Sequence, residues 1–143
     1  MSRVKLSMPE KFLGEITIPV RIGDINYGNH IGNDSFVSIL HEARIKWLAQ
    51  YNFSELNIGG AGLIMSDLTI EFKKEGFYGD IIQVQIFVGE QSTIGFELYY
   101  QLFTNRLDEK ILLVNAKTGM VCYDYQNRKV APIPSTFLEI LGS

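Results

Sequence analysis

The sequence predicts an α+β domain: one long helix wrapped by a curved antiparallel sheet of about five strands, followed by a short C-terminal helix. Three observations predict it. Between Ser35 and Tyr51, apolar residues recur at helical spacing (Phe36, Leu40, Ala43 and Trp47, with Ile39 beside them). From Asp67 to Tyr125, apolar and polar residues instead alternate in successive runs. The links between these runs (Gly76 to Asp80, Gly89 to Ser92, Asn105 to Glu109) are short, which favours antiparallel neighbours.

Taken in order, Ile16, Ile18, Val20 and Ile22 alternate with Thr17, Pro19 and Arg21 and read as a half-buried strand. Pro19 lacks a backbone N–H, so this strand is expected along an edge or with that position unpaired. A polar turn leads into the helix, with Asn33 or Asp34 as its N-cap. About 18 residues at ~1.5 Å each make it roughly 27 Å long. Val37, Arg44 and Leu48 widen its apolar arc, and only Ser38, Glu42, Lys46 and Ala49 form a more polar side. Such a helix requires a sheet to cover it. After Gly59-Gly60-Ala61-Gly62 come strands through Leu68 to Phe72, Ile82 to Val88, Ile94 to Leu102 and Ile111 to Tyr125. Strands of ~10 residues rising ~3.3 Å each match the helix in length. Pro132-Ile133-Pro134 introduces a short helix from Ser135 to Leu141. Phe87, Tyr99 and Phe103 fall on the outward sheet face, which predicts cover from a second copy: a homodimer, or a dimer of dimers as a homotetramer.

The whole chain excludes several classes. Its 143 residues suit a single domain spanning 1–143. A formal charge of −3 leaves no basic stripe for nucleic acid. No apolar run approaches the ~20 residues needed to span a bilayer, and Met1 to Leu13 has no signal-peptide pattern. A single cysteine, Cys122, forms no internal disulfide, and the expectation is a soluble cytoplasmic protein. One cysteine and two histidines argue against a structural zinc site, and no metal is expected. Cys122 lies in the apolar run Met120 to Tyr123 and reads as a small buried hydrophobe. There is no P-loop, no G-x-S-x-G and no dinucleotide fingerprint.

Polar chemistry concentrates in Gly23 to Asp34, which holds two carboxylates, three carboxamides, three glycines and one of the two histidines. A turn of this kind at a helix N-terminus is where an acyl or phosphoryl group is held. Asp24 is either a base, or an orienter of His30 or of a water, or the acceptor of an Asx-type bond that closes the turn through Asn26 or Tyr27. Asn26 either positions a water or a carbonyl, or is a plain turn residue. Histidine titrates near neutral pH, so His30 serves as acid or base, or else packs under the loop. Gly32 and Asn33 begin the helix, where a backbone N–H polarises a carbonyl. Glu42 is a second candidate acid or an arginine-paired surface residue. His41 reads as structural, and Arg44 as the partner of an acid.

In order and spacing, Asp24-x-Asn26, Asn29-His30-Ile31-Gly32-Asn33, Phe36 and His41-Glu42-Ala43-Arg44 resemble a known pattern: D-x-D-x-x-G-H-V-x-N, an aromatic residue, then E-x-A-R. That pattern belongs to hot-dog-fold acyl-CoA thioesterases of the hydroxybenzoyl-CoA type. Gly79-Asp80 and Pro132-Ile133-Pro134 are similar to further marks of the same family. The resemblance implies a hot-dog fold and hydrolysis of an acyl-CoA or acyl-carrier-protein thioester. It implies no cofactor beyond coenzyme A carried by the substrate. It also implies a pocket between two subunits, lined by Ser66 and Asp67 of the partner's strand. Lys73 and Lys74 either meet the phosphates of CoA or form a solvated strand end. One departure stands out. Asn26 occupies the place of the family's second carboxylate, and a carboxamide cannot act as a base. Asp24 with His30, or Glu42, is then expected to activate water while Asn26 positions it. Two alternatives remain at this level. Gly23-Asp24-Ile25-Asn26 followed by His30 also resembles the G-D-x-N-P-x-H of hot-dog hydratases, without the proline and with the histidine one residue late. The loss of the acid at Asn26 also fits a non-catalytic acyl-thioester-binding protein.

Overall fold

Period-two patterning gives the central strands one buried face, which shares a core with the long helix. The computed structural model describes residues 2–142. Its strands are β1 (Lys11–Pro19), β2 (Gly62–Phe72), β3 (Ile81–Gln91), β4 (Gly95–Arg106), β5 (Glu109–Asp124) and β6 (Lys129–Val130). The helices are α1 (Asn33–Ala49) and α2 (Ser135–Leu141), and a 3-10 turn spans Ile22–Asp24. The antiparallel sheet runs β1-β3-β4-β5-β2, with β6 added to β5. Ile82, Val84, Ile86 and Val88 of β3 and Phe96, Leu98, Tyr100 and Leu102 of β4 are buried, as are Phe36, Ile39, Leu40, Ala43 and Trp47 of α1. Burial at this scale is the dominant favourable term in folding. Phe137 of α2 closes one end of the core edge-on to Trp47, with ring centroids 6.0 Å apart.

Several element boundaries differ from the sequence expectation, each for a local reason. β1 starts at Lys11 and ends at Pro19, where the last rung pairs with Ile81. Beyond it, Asp24 Oδ2 accepts from the Arg21 N–H at 2.8 Å, which turns Ile22 out of the strand into the 3-10 turn. β1 is a sheet edge, as Pro19 predicted. α1 begins at Asn33 and is capped by Gly32 without a side-chain hydrogen bond, so neither Asn33 nor Asp34 is its N-cap. β2 begins at Gly62, ahead of the alternating run, because an edge strand with a bulge between Met65 and Asp67 need not alternate. The outward-facing Phe87 stacks edge-on with Phe12 (5.6 Å), and Lys110 Nζ lies 4.0 Å over the Phe103 ring. The chain's own residues therefore cover part of that face.

Cys122 is fully buried, and burial pushes its thiol up to about 11. No helix among the described residues is long and apolar enough to cross a membrane.

Candidate active site

The polar turn is a knot of backbone hydrogen bonds that leads directly into the start of α1. Ile25 and Ile31 bridge as an isolated antiparallel pair, and the Asn26 N–H donates to the His30 carbonyl at 2.9 Å. The Gly32 N–H donates to the Asp24 carbonyl at 3.0 Å. Asn29 takes the left-handed conformation (φ 67°) that asparagine tolerates. Asn26 Oδ1 accepts from the Gly28 N–H at 2.9 Å, an Asx turn that leaves the carboxamide N–H groups as donors. A Cβ added to Gly28 would lie 3.2 Å from both Asn26 Oδ1 and His30 Nε2, so the carboxamide and the imidazole flank that residue.

At the helix start, Gly32 has extended backbone angles (φ −68°, ψ 151°), and its carbonyl accepts from the Phe36 N–H at 3.2 Å. The first-turn N–H groups of a helix have no intrahelical acceptor. Here no capping side chain takes them either. A Cβ on Gly32 would stand 2.6 Å from Asp34 Oδ1, so glycine makes room for the Asp34 carboxylate at the helix start; Asn26 Cβ, at 3.7 Å, would be in ordinary contact.

A groove of about 240 Å³ opens beside this terminus, lined by His30, Asn33, Phe36, Phe72, Lys73 and Glu75, among others. His30 Nδ1 lies 3.2 Å from the Ile31 carbonyl. A carbonyl only accepts, so this contact assigns an N–H to Nδ1. Nε2 in turn lies 3.9 Å from Glu75 Oε1. Glu75 follows β2 and reaches the turn because the Ile31 N–H donates to the Gly76 carbonyl at 2.8 Å. Glu75 is the residue that sequence reasoning missed. Its only trace there is an acid next to a glycine after a strand end.

The model of the Thioesterase-like superfamily matches residues 20–141. The chain belongs to the thioesterase-like superfamily. It is 30% identical over 109 residues to a 1,4-dihydroxy-2-naphthoyl-CoA hydrolase from Microcystis aeruginosa, covering 74% of this chain and 76% of that protein. The crystal structure of a 1,4-dihydroxy-2-naphthoyl-CoA thioesterase from Synechocystis superposes with a TM-score of 0.79 at 24% identity, covering 90% of this chain and 95% of that one. A 4-hydroxybenzoyl-CoA thioesterase complexed with 4-hydroxybenzoyl-CoA superposes with a TM-score of 0.78 at 13% identity, covering 89% and 96%. At such identities the two superpositions speak to the fold, which is the hot-dog fold.

Within this superfamily member, the remaining expected site residues divide. Asp24 is buried, and its carboxylate faces Arg21: the backbone N–H at 2.8 Å and Nη2 at 3.5 Å. Arg21 Nη2 also lies 3.7 Å from Glu42 Oε1, and Lys46 Nζ lies 3.1 Å from Glu42 Oε2. Asp24 and Glu42 are thus joined through Arg21. The expected pairing of Asp24 with His30 is not formed, and the Asx bond that closes the turn comes from Asn26 instead. Ser66 Oγ donates to the Gly119 carbonyl at 3.1 Å, and Asp67 Oδ1 lies 3.6 Å from Lys117 Nζ. Both sit at the β2 bulge and do not line the groove. Lys73 lines the groove with its Nζ 2.9 Å from Glu71 Oε2, and Lys74 lines it beside Lys73. His41 Nε2 meets Glu55 Oε1 at 2.6 Å. Arg44 donates to Glu55 Oε2 (3.0 Å) and to the Tyr100 hydroxyl (3.2 Å), a buried network that stitches α1 to the sheet. Among the described residues, no cluster of three or more His, Cys, Asp or Glu is arranged to hold a metal ion.

Proposed function

We propose that this chain hydrolyses acyl-CoA thioesters, with the acyl carbonyl at the N-terminus of α1 and His30 as general base. The observation that carries this reading is the groove into which the uncapped start of α1 and the imidazole of His30 both open. The substrate carbonyl oxygen accepts from the first-turn N–H groups beginning at Asn33, where the helix dipole favours the charge that develops. His30, with Nδ1–H held by the Ile31 carbonyl, takes a proton at Nε2 from a water positioned by the Asn26 carboxamide. The water oxygen bonds to the carbonyl carbon. As the tetrahedral intermediate collapses, the C–S bond breaks and the imidazolium returns its proton to the leaving thiolate. Glu75 stabilises the imidazolium between those steps, supplying the negative charge that Asn26 lacks.

Phe36 on the groove wall suits an aromatic acyl group, consistent with the ring-bearing acyl groups in the names of the relatives. The same reading includes a homo-oligomer, since β2 is a sheet edge with exposed Ile64, Met65 and Phe72. A hydratase of the kind described above needs Asp24 and His30 to act together, and the Asp24 carboxylate is engaged by Arg21. The non-catalytic alternative rests on Asn26 alone, and the Glu75 carboxylate beside His30 speaks for the catalytic reading. The test is release of free CoA thiol from a panel of aromatic, medium-chain and long-chain acyl-CoAs, with acyl-carrier-protein thioesters alongside. Release that exceeds buffer and falls in His30→Ala supports the reading; none from any member of the panel refutes it.

A further inference from the structure

The groove borders a second cavity at Phe72 and Lys73. This cavity, of about 430 Å³, has the N-terminal segment Arg3, Val4 and Lys5 as its opposite wall. This segment is tied to β2: the Leu6 N–H donates to Glu71 Oε1 at 3.2 Å. Glu71, the acid on this cavity, is already occupied. Lys73 Nζ lies 2.9 Å from its Oε2, and Asn115 Nδ2 donates to Oε1 at 3.4 Å. Arg3 and Lys5 are exposed and form no ion pair among the described residues. Three cations thus face one engaged acid, on a chain whose formal charge is −3. The superfamily match begins at residue 20, so this segment lies outside the matched region.

We propose that Arg3 and Lys5, together with Lys73, form the mouth that holds the phosphates of the CoA moiety, while the pantetheine arm runs past Phe72 to the thioester at Asn33. The proposal rests on reading the groove as the thioester site. The chemistry matches: CoA is a polyanion joined by a flexible, uncharged arm to its thioester, and the two cavities share a wall at Phe72 and Lys73. Arginine presents a planar fork of donors to phosphate oxygens, and lysine a point charge. Exposed contacts of this kind weaken with salt.

The test compares wild type with the Arg3→Gln/Lys5→Gln variant. Both positions are exposed and outside the core, so the variant is expected to fold. KM is measured for one acyl-CoA and for the same acyl group on pantetheine, and CoA binding is measured by calorimetry. The expected result is a KM for acyl-CoA raised about tenfold at unchanged kcat, since two exposed ion pairs lost add up to about that factor. The KM for acyl-pantetheine stays the same. Added salt raises the wild-type KM for acyl-CoA and leaves that of the variant nearly flat. A KM for acyl-CoA within twofold of wild type overturns the mouth while leaving hydrolysis standing. If no thioester is cleaved at all, calorimetry decides. CoA bound about tenfold more weakly by the variant supports the mouth although the hydrolase reading fails; equal binding, or no binding of CoA by wild type, overturns it.

Discussion

Replacing Glu75 by glutamine tests the assignment on which the mechanism turns. The substitution keeps the shape and removes one negative charge that stands 3.9 Å from His30 Nε2. Both side chains are partly solvated, 32% exposed for His30 and 64% for Glu75, so a water-like dielectric applies. Two unit charges at this separation in water interact by about 1 kcal/mol, which is roughly a fivefold change in rate if the imidazolium forms in the transition state. The expectation is therefore a kcat lowered about fivefold at low salt, with the deficit shrinking as salt is added. His30→Ala is expected to cost ~10²–10⁴-fold, the usual contribution of a general base. The assay is release of free CoA thiol under saturating substrate, with the double variant added to close the cycle. Glu75→Gln should cost nothing further in the His30→Ala background, because the charge then has no imidazolium to stabilise. An unchanged kcat in Glu75→Gln at low salt refutes the role of Glu75. His30→Ala within about threefold of wild type refutes the base itself.

Three further outcomes follow from the packing and charges. Gly76→Ala would place a Cβ 2.4 Å from Ile31 Cδ1 in the buried seam between the polar turn and the loop after β2. Thermal unfolding should show a loss of about 1–3 kcal/mol, as overpacking typically gives, and an unshifted midpoint would show that the seam yields freely. At Asp80, burial acts to raise the carboxyl, but the hydrogen bonds from Arg106 and the Phe77 N–H outweigh it and hold the group below the usual carboxylate range. Because the folded-state value is depressed, this stabilisation is present above the unfolded carboxylate value near ~3.9 and is lost as pH falls through the folded one. Asp80→Asn should lower the melting temperature at pH 7 and leave little difference from wild type in strong acid; a constant difference across pH would contradict this. Cys122, buried and with its thiol pushed up to about 11, should resist alkylation at pH 7 until the protein unfolds. Labelling of the native protein at the rate of a free thiol would show that this strand opens.

Much of the fold is legible in the chain because secondary structure and burial are encoded locally. The helical spacing of Phe36, Leu40, Ala43 and Trp47 and the alternation from Ile82 to Val88 each place their apolar members in the core. Pro19 marked an edge strand through its missing N–H. Boundaries were less legible where one bond decides them. The Asp24 carboxylate bends the chain out of β1 by accepting from the Arg21 N–H, which also withdraws it from His30. The same residue type in the same turn was equally compatible with a base, and only the direction of its side chain separates the two.

The sequence by itself determined the class of this protein, the long helix in a curved sheet, and the polar turn at that helix's start. Those features depend on periodicity and on residues within a few positions of one another. Only the tertiary structure decided which acid stands beside His30 and which cations continue the groove. Glu75 meets the turn because Ile31 bonds to Gly76, and Arg3 and Lys5 line one cavity with Lys73 because Leu6 bonds to Glu71 across 65 residues. Such meetings depend on how distant segments dock on the assembled sheet, and local propensity carries no record of that.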